Sequence, residues 1–310
     1  MTLFVAETAS VDSERAIVYI LGAMPDSRKQ ASVSPSRSVS VIIPARDEAS
    51  FIGSVITGVR QSLSAYNHEI ITVDDGSKDK TAEIARTSQA IVVSHQNSMG
   101  KGAAMKTGAK RAKGNIIVFI DSDGAHDPKE IPRVIAPIIQ NQADLVIGSR
   151  ALSESKVSRP PLHRRLSNNL ASFIISIIIS LFLPLTSLLN RLIHPRKSLV
   201  TKPRKAKAPQ PKTRGYRLIT GRLKWITDCT SGFRALTRDA WQRLNLASNE
   251  FQIETEMIYE AAKHKLTMAE VPISCNWDSK SSRLSIIEDG LRTSKLLLQK
   301  LWSNLRQEKT

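Results

Sequence analysis

Residues 116–123 read Ile-Ile-Val-Phe-Ile-Asp-Ser-Asp, five apolar residues followed at once by two carboxylates. A short apolar run that ends in polar residues is typical of a strand buried on both faces of a sheet. The stretch predicts a strand over residues 115–120, with Asp121 and Asp123 just beyond its end. Two carboxylates this close repel each other, and a divalent cation would remove that penalty. Because hard cations prefer oxygen ligands, we expect Mg²⁺ or Mn²⁺ at Asp121 and Asp123, with a diphosphate on the metal.

Similar apolar runs occur on both sides of this strand and alternate with helical patterns. The predicted strands are 39–44, 69–74, 90–93, 144–148 and 268–273, and the predicted helices are 49–63, 81–87, 101–112, 241–246, 254–263 and 286–305. This alternation predicts an α/β fold with a mainly parallel central sheet and helices on both faces. In such sheets, ligands bind beyond the carboxyl ends of the strands. Polar residues follow four of the predicted strands there: Arg46, Asp47 and Glu48; Asp74 and Asp75; Asp121 and Asp123; Ser149 and Arg150.

Two further motifs lie at predicted strand-to-helix junctions. In the first, Asp74 and Asp75 precede a glycine turn, and a carboxylate here could accept hydrogen bonds from a base or ribose. Asp79 in the same motif is expected only to cap the next helix. In the second, Gly100 and Gly102 flank Lys101 at a helix start, an arrangement that suits either a bound anion or a simple turn.

The positive charge of the chain is concentrated in one segment. Of the 45 Lys and Arg residues, 16 lie between Glu154 and Asp228, an interval without any Asp or Glu. The rest of the chain carries 29 basic against 28 acidic residues and is nearly neutral. A local cationic segment predicts an anionic partner such as a phospholipid surface, an anionic substrate or nucleic acid. Between Arg191 and Asp228 the only aromatic residues are Tyr216 and Trp225, and no nucleic-acid-binding motif accompanies the basic tract, so we do not expect nucleic acid to be the partner.

A charge-free apolar segment precedes the densest part of this basic tract. The length of the segment 166–190 is close to the roughly 20 residues that a helix needs to cross a bilayer. Weakly polar residues, among them Ser172 and Ser176, recur along one side at three- or four-residue spacing. This pattern suits a helix that lies in the membrane interface or packs against a neighbour. An apolar helix beside a polybasic loop predicts membrane attachment, here at the cytoplasmic face.

The motifs together resemble the inverting family-two glycosyltransferases. The resemblance rests on their order along the chain: residues 39–48, 73–77, 100–102, 121–123 and 148–150. Later motifs narrow the resemblance to the group of dolichol-phosphate mannose synthases and dolichyl-phosphate glucosyltransferases. These motifs are residues 228–234, 251–256, 270–273, 280–284 and 289–292. The resemblance implies a single Rossmann-like nucleotide-diphospho-sugar transferase (GT-A) domain with added membrane-interface helices. It further implies transfer of a hexose from UDP-glucose or GDP-mannose to a polyprenyl (dolichyl) phosphate.

The resemblance also implies roles for individual residues. The implied nucleotide contacts are Pro44, Arg46, Glu48, Asp75, Lys101 and Asp121. The implied metal ligands are Asp121 and Asp123, and the implied catalytic residues are Asp123, Arg150, Arg234 and Glu254. The implied ligands of the lipid phosphate are Arg150, Arg165, Ser282 and Arg283.

The chain departs from the mannose synthases near the acidic pair. Those enzymes commonly carry glutamine two residues after the second aspartate, where this chain has Ala125, and the Gly-Ala ending resembles the glucosyltransferase branch. His126 is expected either to approach the metal or to lie on the surface. An alternative is a family-two enzyme, soluble or membrane-bound, that uses a small-molecule or polysaccharide acceptor.

The predicted organisation has five parts. They are a loosely ordered extension (1–37), a nucleotide-sugar-binding part (38–165), a membrane-associated insertion with the apolar helix and polybasic loop (166–226), an acceptor-side part (227–284) and a basic amphipathic helix (285–310).

Overall fold

The computed structural model of the protein describes residues 38–152, 162–182, 184–185, 216–219, 225–276 and 286–306. The predicted N-terminal extension, most of the basic tract, and Ser282 and Arg283 lie outside these residues. The described strands are β1 (Val39–Ala45), β2 (His68–Asp74), β3 (Ile91–Ser94), β4 (Ile116–Phe119), β5 (Leu145–Ser149), β6 (Arg217–Ile219), β7 (Arg234–Thr237) and β8 (Met268–Pro272). The described α-helices are α1 (Ile52–Ser62), α2 (Thr81–Thr87), α3 (Lys101–Arg111), α4 (Ile131–Ile139), α5 (Leu162–Ile177), α6 (Arg238–Arg243), α7 (Ile253–Lys263) and α8 (Ile286–Arg306).

The described strands form one sheet in the order β3-β2-β1-β4-β7-β5-β8-β6. The pairs β1–β2, β1–β4, β2–β3 and β5–β8 are parallel, which confirms the predicted mainly parallel sheet. β7 runs antiparallel to both β4 and β5, and β6 runs antiparallel to β8. Because β7 is reversed, its first residue lies beside the last residues of β4 and β5. The segment that precedes β7 therefore reaches the edge of the sheet where the parallel strands end.

Side chains alternate across the sheet and build a core on each face. Along β1, Ile42 packs in one apolar cluster, while Val41 and Ile43 pack in the other. The first cluster includes buried residues of α3, α5, α7 and α8, and the second includes those of α1 and α4. Helices on both faces keep the parallel strands away from water, as their continuous apolar sequences require.

Helix α4 is not among the predicted helices. Its prolines at positions 132 and 137 obscure the helical pattern, although proline is well tolerated in the first turn of a helix. Its buried residues nevertheless repeat at helical spacing, at Ile131, Val134, Ile135 and Ile138. The short strands β6 and β7 were not predicted either, and β6 shows that the predicted insertion contributes one strand to the sheet.

Helix α5 turns its weakly polar side toward the protein. Ser172 and Ser176 are buried, and their hydroxyls accept hydrogen bonds from the backbone N–H groups of Cys229 (3.1 Å) and Ile226 (3.0 Å). The spacing of the weakly polar residues predicts a helix that either lies in the membrane interface or packs against a neighbour, and the structure confirms the packing. Large apolar side chains are exposed on the outer side of α5, at Leu170, Phe173 and Ile174, and beyond its end, at Leu181 and Leu185. No helix in the described parts of the chain combines the length and apolarity that a bilayer crossing requires.

Candidate active site

The carboxyl ends of β1, β2, β4 and β5 bring the predicted polar residues to one edge of the sheet. At its centre, the Lys101 ammonium lies 2.7 Å from Asp121 Oδ1 and 2.8 Å from Glu254 Oε1. The ring of Phe251 lies beneath the same ammonium, with its centroid 5.5 Å from Nζ. Lys101 begins α3 and Glu254 lies in the first turn of α7, so two helices deliver opposite charges to the end of β4.

Charge pairing outweighs burial in this cluster. Burial alone disfavours charge on Lys101, but the neighbouring carboxylates of Asp121 and Glu254 raise its pKa. Burial acts to raise the pKa of Asp121, yet Lys101 above all holds that pKa below its usual value. Lys101 and Asp121 are therefore both charged at neutral pH. One ammonium stabilises two carboxylates, of which that of Glu254 is almost fully buried.

Asp123 lies in a different electrostatic environment from Asp121. Its Oδ1 accepts a hydrogen bond from the backbone N–H of Ala125 (2.9 Å). Burial, followed by the charge of Asp121, raises the pKa of Asp123. The negative charge of this pair is thus only partly compensated by the protein, which is the condition expected where a cation binds.

A close backbone approach shapes the cleft around Asp121. Gly232, in the segment before β7, lies so near that an added Cβ would be 2.5 Å from both carboxylate oxygens of Asp121. Glycine leaves this side of the carboxylate open, and any larger residue would fill it. Gly232 lies within the sequence motif 228–234 but is not among the site residues predicted from sequence.

Asp121 and Asp123 fit the predicted divalent metal. Both are hard oxygen ligands, and Gly232 keeps a cradle beside Asp121 clear. Across the described residues, no group of three or more His, Cys, Asp or Glu side chains is placed to hold a metal ion. A cation held by Asp121 and Asp123 alone would keep its other coordination positions for water and phosphate oxygens, as Mg²⁺ and Mn²⁺ commonly do.

The predicted nucleotide side of the cleft is organised around Asp75. Its carboxylate accepts hydrogen bonds from the backbone N–H groups of Met99 (2.8 Å) and Gly100 (2.9 Å) and from the Ser98 hydroxyl (2.8 Å), and it contacts His95 Nδ1 at 2.6 Å. Burial opposes the charge, but these partners lower the pKa of Asp75. Asp75 is 4% exposed, so the structure gives it the role of fixing the loop before α3.

The other predicted nucleotide contacts lie beside this network. Arg46 donates a hydrogen bond to the Ser98 hydroxyl (2.8 Å), and its side chain is 47% exposed. Pro44 is buried within β1, where it pairs with Val73. The backbone N–H of Glu48 donates to the Thr81 hydroxyl (2.8 Å). The side chain of Asp79 accepts from the N–H of Thr81 (2.9 Å), the first residue of α2, although the N-cap residue itself is Lys80.

The two glycines around Lys101 serve a contact inside the protein. An added Cβ at Gly102 would lie 2.7 Å from the carbonyl oxygen of Ser248, and Gly100 adopts a positive φ of 98°. The N–H of Ala103 donates to the carbonyl of Asn249 (3.0 Å). The sequence leaves open either a bound anion or a simple turn at this point. The structure shows a tight turn at the start of α3, packed against residues 248–250.

Arg150 lies at the end of β5 in a fixed ion pair. Its Nε is 2.7 Å from Asp228 Oδ2 and its Nη2 is 2.8 Å from Asp228 Oδ1, while Nη2 also donates to the Thr230 hydroxyl at 2.9 Å. Such two-point pairing raises the pKa of Arg150 and lowers that of the buried Asp228, although burial opposes both charges. The side chain of Arg150 is 20% exposed.

Helix α5 continues this network. The Thr230 hydroxyl donates to the side-chain oxygen of Asn168 (3.0 Å), and the side-chain nitrogen of Asn168 donates to the carbonyl of Thr227 (3.1 Å). Asp228, Thr230 and Asn168 are functional candidates that the sequence analysis did not name. The predicted Arg165 lies one turn earlier in α5, but its side chain is outside the described residues.

Two predicted positions differ from expectation. Arg234 is fully buried, and its guanidinium donates to the carbonyl oxygens of Ser231 (2.8 Å), Cys229 (2.6 Å) and Glu254. The structure thus gives Arg234 a positioning role behind the cleft, in place of the predicted direct part in catalysis. His126 is 3% exposed, so the surface position considered for it is wrong.

His126 lies behind the acidic pair. Its Nε2 is 3.7 Å from Asp121 Oδ2, and its ring packs 5.6 Å from that of Phe233. Burial lowers the pKa of His126 to about 4, so the imidazole is uncharged at neutral pH.

Comparisons with known proteins identify the family of the chain. The model of the family described as Glycosyl transferase family 2 matches residues 40–244, more than half of the chain. An uncharacterized protein of Methanocaldococcus jannaschii is 30% identical over 271 residues, which cover 85% of this chain and 93% of that protein. A UDP-N-acetylglucosamine–dolichyl-phosphate N-acetylglucosaminyltransferase of Methanococcus voltae is 29% identical, over 76% of this chain and 84% of its own length.

The fold likewise matches a solved glycosyltransferase structure. Glucosyl-3-phosphoglycerate synthase from Mycobacterium tuberculosis, in complex with Mn²⁺ and UDP-glucose, aligns with a TM-score of 0.54 at 20% identity. The alignment covers 88% of this chain and 80% of that one. Together with the acidic site at the strand ends, the family match shows that the chain is a glycosyltransferase that belongs to glycosyl transferase family 2.

Proposed function

We propose that the protein transfers a hexose from a nucleotide sugar to the phosphate of a polyprenyl lipid, with inversion and with a divalent metal. The name of the M. voltae relative supports a lipid-phosphate acceptor. The acidic cluster at the end of β4 supports a metal-bound nucleotide diphosphate as the donor. The donor sugar is proposed to be glucose or mannose, and Ala125 favours glucose because it replaces the glutamine of the mannose synthases.

One observation carries the acceptor assignment: a fixed arginine beside the acidic cleft is joined to an exposed apolar helix. Arg150 contacts Thr230, and Thr230 contacts Asn168 of α5. Phe173 lies five residues further along α5, is 44% exposed and packs edge-on against the exposed Trp225, with ring centroids 5.8 Å apart. Arg150, a cation that could bind a phosphate, is thus linked through hydrogen bonds to α5, whose exposed apolar side could contact a hydrocarbon chain. A lipid phosphate needs both kinds of contact.

On the donor side, Asp121 and Asp123 would hold Mg²⁺ or Mn²⁺. When bound, that cation would neutralise charge on the leaving nucleoside diphosphate. Lys101 fixes the orientation of Asp121, and Glu254 holds Lys101 in turn. Arg46 and Glu48 are proposed to contact the nucleotide, with Asp75 supporting them through the loop before α3.

On the acceptor side, the phosphate is already ionised at neutral pH, so the site needs no strong general base. Arg150, with Arg165, Ser282 and Arg283, is proposed to bind this phosphate and align its oxygen behind the anomeric carbon. Positioning and charge neutralisation then supply the catalysis. The bidentate pair with Asp228 keeps Arg150 from rotating away from that line.

The lipid acceptor implies a membrane location, which we propose to be its cytoplasmic face. The exposed apolar side of α5 would enter the interface, and basic residues between Glu154 and Asp228 would bind anionic headgroups. Each basic residue near such a surface contributes about 1 kcal/mol at low salt. Apolar insertion and electrostatic attraction together give more stable attachment than either alone.

A donor and acceptor screen tests the proposal. The full chain is incubated with UDP-glucose, UDP-N-acetylglucosamine or GDP-mannose, with polyprenyl phosphate, and with Mg²⁺ or Mn²⁺, and lipid-linked sugar is measured. We expect one donor to be used, and we expect Asp123→Ala to fold but lose nearly all transfer even with excess metal. Transfer to 3-phosphoglycerate and not to the lipid would refute the acceptor while leaving the family intact. Wild-type turnover by Asp123→Ala in excess chelator would refute the metal.

A further inference from the structure

A lysine of the C-terminal helix is buried against two carboxylates on the face of the sheet that carries α7. Lys300 of α8 lies 2.7 Å from Glu256 Oε1 and 2.7 Å from Glu260 Oε1, and it also donates to the carbonyl of Asn245. Both glutamates are almost fully buried, and the lysine side chain is 12% exposed. Glu256 and Glu260 lie one turn apart on α7, so without Lys300 two like charges would face each other inside the protein.

Glu256 has a second set of partners that Glu260 lacks. Its Oε1 accepts the backbone N–H of Ala247 (2.9 Å) and its Oε2 accepts that of Ser248 (2.9 Å). Burial opposes the charge, but the hydrogen bond from Lys300 and these two N–H groups lower the pKa of Glu256. A carboxylate held by a lysine therefore fixes the backbone of residues 247–248.

That backbone is the one packed against the start of α3. The carbonyl of Asn249 accepts the N–H of Ala103 (3.0 Å), and the Asn249 side chain accepts from the Lys106 ammonium (2.7 Å). The Ser248 carbonyl occupies the space that a Cβ at Gly102 would need. Residues 248–250 thus contact α3 on both sides of Lys101, the residue that orients Asp121.

We propose that Lys300 and Glu256 form a positioning pair for the active site. Lys300 keeps Glu256 charged and in place, Glu256 fixes residues 247–250, and these residues set the first turn of α3 and the direction of Lys101. The proposal rests on the proposed function only for its effect on catalysis; its effect on the α3 turn is independent of the reaction. A helix near the end of the sequence would in this way determine the geometry of the metal-binding carboxylate.

Glu260 supplies a matched control. It shares the helix, the burial and the contact with Lys300, but its remaining contacts are with His264 (3.5 Å) and the N–H of Asn245 (3.4 Å), outside residues 247–250. Glu256→Gln and Glu260→Gln therefore remove the same kind of charge from the same pair. They differ in one respect: only Glu256 accepts hydrogen bonds from the backbone of residues 247–248, which leads into the segment packed against α3.

The experiment compares these two variants with the wild type as full chains. Hydrogen exchange is followed in residues 101–105 and 247–252, and the affinities for UDP with Mn²⁺ and for GDP with Mn²⁺ are measured by calorimetry. For Glu256→Gln we expect faster exchange in both segments and roughly tenfold weaker binding of whichever nucleotide the wild type binds. For Glu260→Gln we expect affinity within about twofold of the wild type, and any faster exchange to be spread over the whole core, as a loss of overall stability produces, with no added effect in these two segments.

Replacement of the lysine adds a test of the charge itself. Lys300→Met is expected to reproduce the exchange and affinity changes of Glu256→Gln, and Lys300→Arg to restore them in part. Equal effects of Glu256→Gln and Glu260→Gln, or wild-type exchange at 101–105 in Glu256→Gln, would overturn the proposal. If the wild type bound neither nucleotide, the proposed function would fail, and the exchange measurements would still decide the positioning role.

Discussion

Replacing Gly232 with alanine should separate the function of the cleft from the stability of the fold. The new Cβ would lie 2.5 Å from both carboxylate oxygens of Asp121, and ordinary contact begins at 3.4 Å. Asp121 must therefore retreat by about 0.9 Å. Its Oδ1 now lies 2.7 Å from Lys101, and a shift of that size away from the lysine breaks the hydrogen bond.

The size of the effect follows from this displacement. A misplacement of about 1 Å in a positioned catalytic group lowers the rate by about 100-fold, or about 2.7 kcal/mol. The cost in stability should stay within about 1 kcal/mol, because the obstructed atoms belong to a partly exposed side chain that can rotate. We thus expect kcat/KM to fall about 100-fold and metal affinity to weaken, with an almost unchanged unfolding midpoint.

The assay measures kcat/KM for sugar transfer, Mn²⁺ affinity by titration, and urea unfolding on the same preparations. Gly53→Ala is the control, because its Cβ would face Ile84 of α2 at 3.2 Å and Ser88, the residue that follows α2, at 3.5 Å, away from Asp121. A folded Gly232→Ala variant with wild-type kcat/KM would refute the reasoning. So would a loss of activity fully matched by a loss of stability.

Three further predictions concern the surroundings of the cleft. Phe173→Ser should weaken binding to anionic vesicles several-fold to about tenfold in flotation assays, with little change in unfolding, because Phe173 is already 44% exposed. Lys101→Met should destabilise the fold more when alone than when combined with Glu254→Gln, since only the single variant strands a buried carboxylate; a double-mutant cycle in urea measures this, and additive effects would contradict it. Asp228→Asn should cost about 3 kcal/mol at pH 7. The folded pKa of Asp228 lies below its ordinary 3.8, so the wild-type advantage should be constant down to that value and disappear as the pH falls further; urea titrations at several pH values test the sign.

The parallel part of the sheet could be predicted from sequence because its strands are continuous apolar runs. The predicted strand 39–44 and the observed β1 (Val39–Ala45) differ by one residue, and residues 116–119 of β4 lie within the predicted 115–120. The short strands β6 and β7 have three and four residues, too few to show a period. Their places in the sheet depend on pairing with β8, β4 and β5, which only the folded chain reveals.

The candidate site also has one part that could be predicted from sequence and another part that depends on how the elements pack. The rule that ligands bind at strand ends predicts that Asp121 and Asp123 face a cleft. The pairing of Lys101 with Glu254 depends instead on how α3 and α7 pack, which sequence spacing does not encode. Arg234 illustrates the opposite error: a charged side chain in a functional motif suggests a ligand, but its partners are backbone carbonyls, and these look identical at every position of a sequence.

The ion pair between Arg150 and Asp228 joins residues 78 positions apart, one following β5 and the other preceding β7. Because β7 is reversed, the polypeptide between them leaves and returns at a single point on the sheet. The entropic cost of closing such a loop rises by only about 0.6 kcal/mol for each doubling of its length. Natural variation or deliberate grafting could therefore change the length of this excursion without shifting the register of the donor-side strands, provided that α5 keeps its place in the core and β6 its pairing with β8. In evolutionary terms, the Arg150–Asp228 ion pair would let the acceptor preference change while the donor-side strands and their site residues are inherited unchanged.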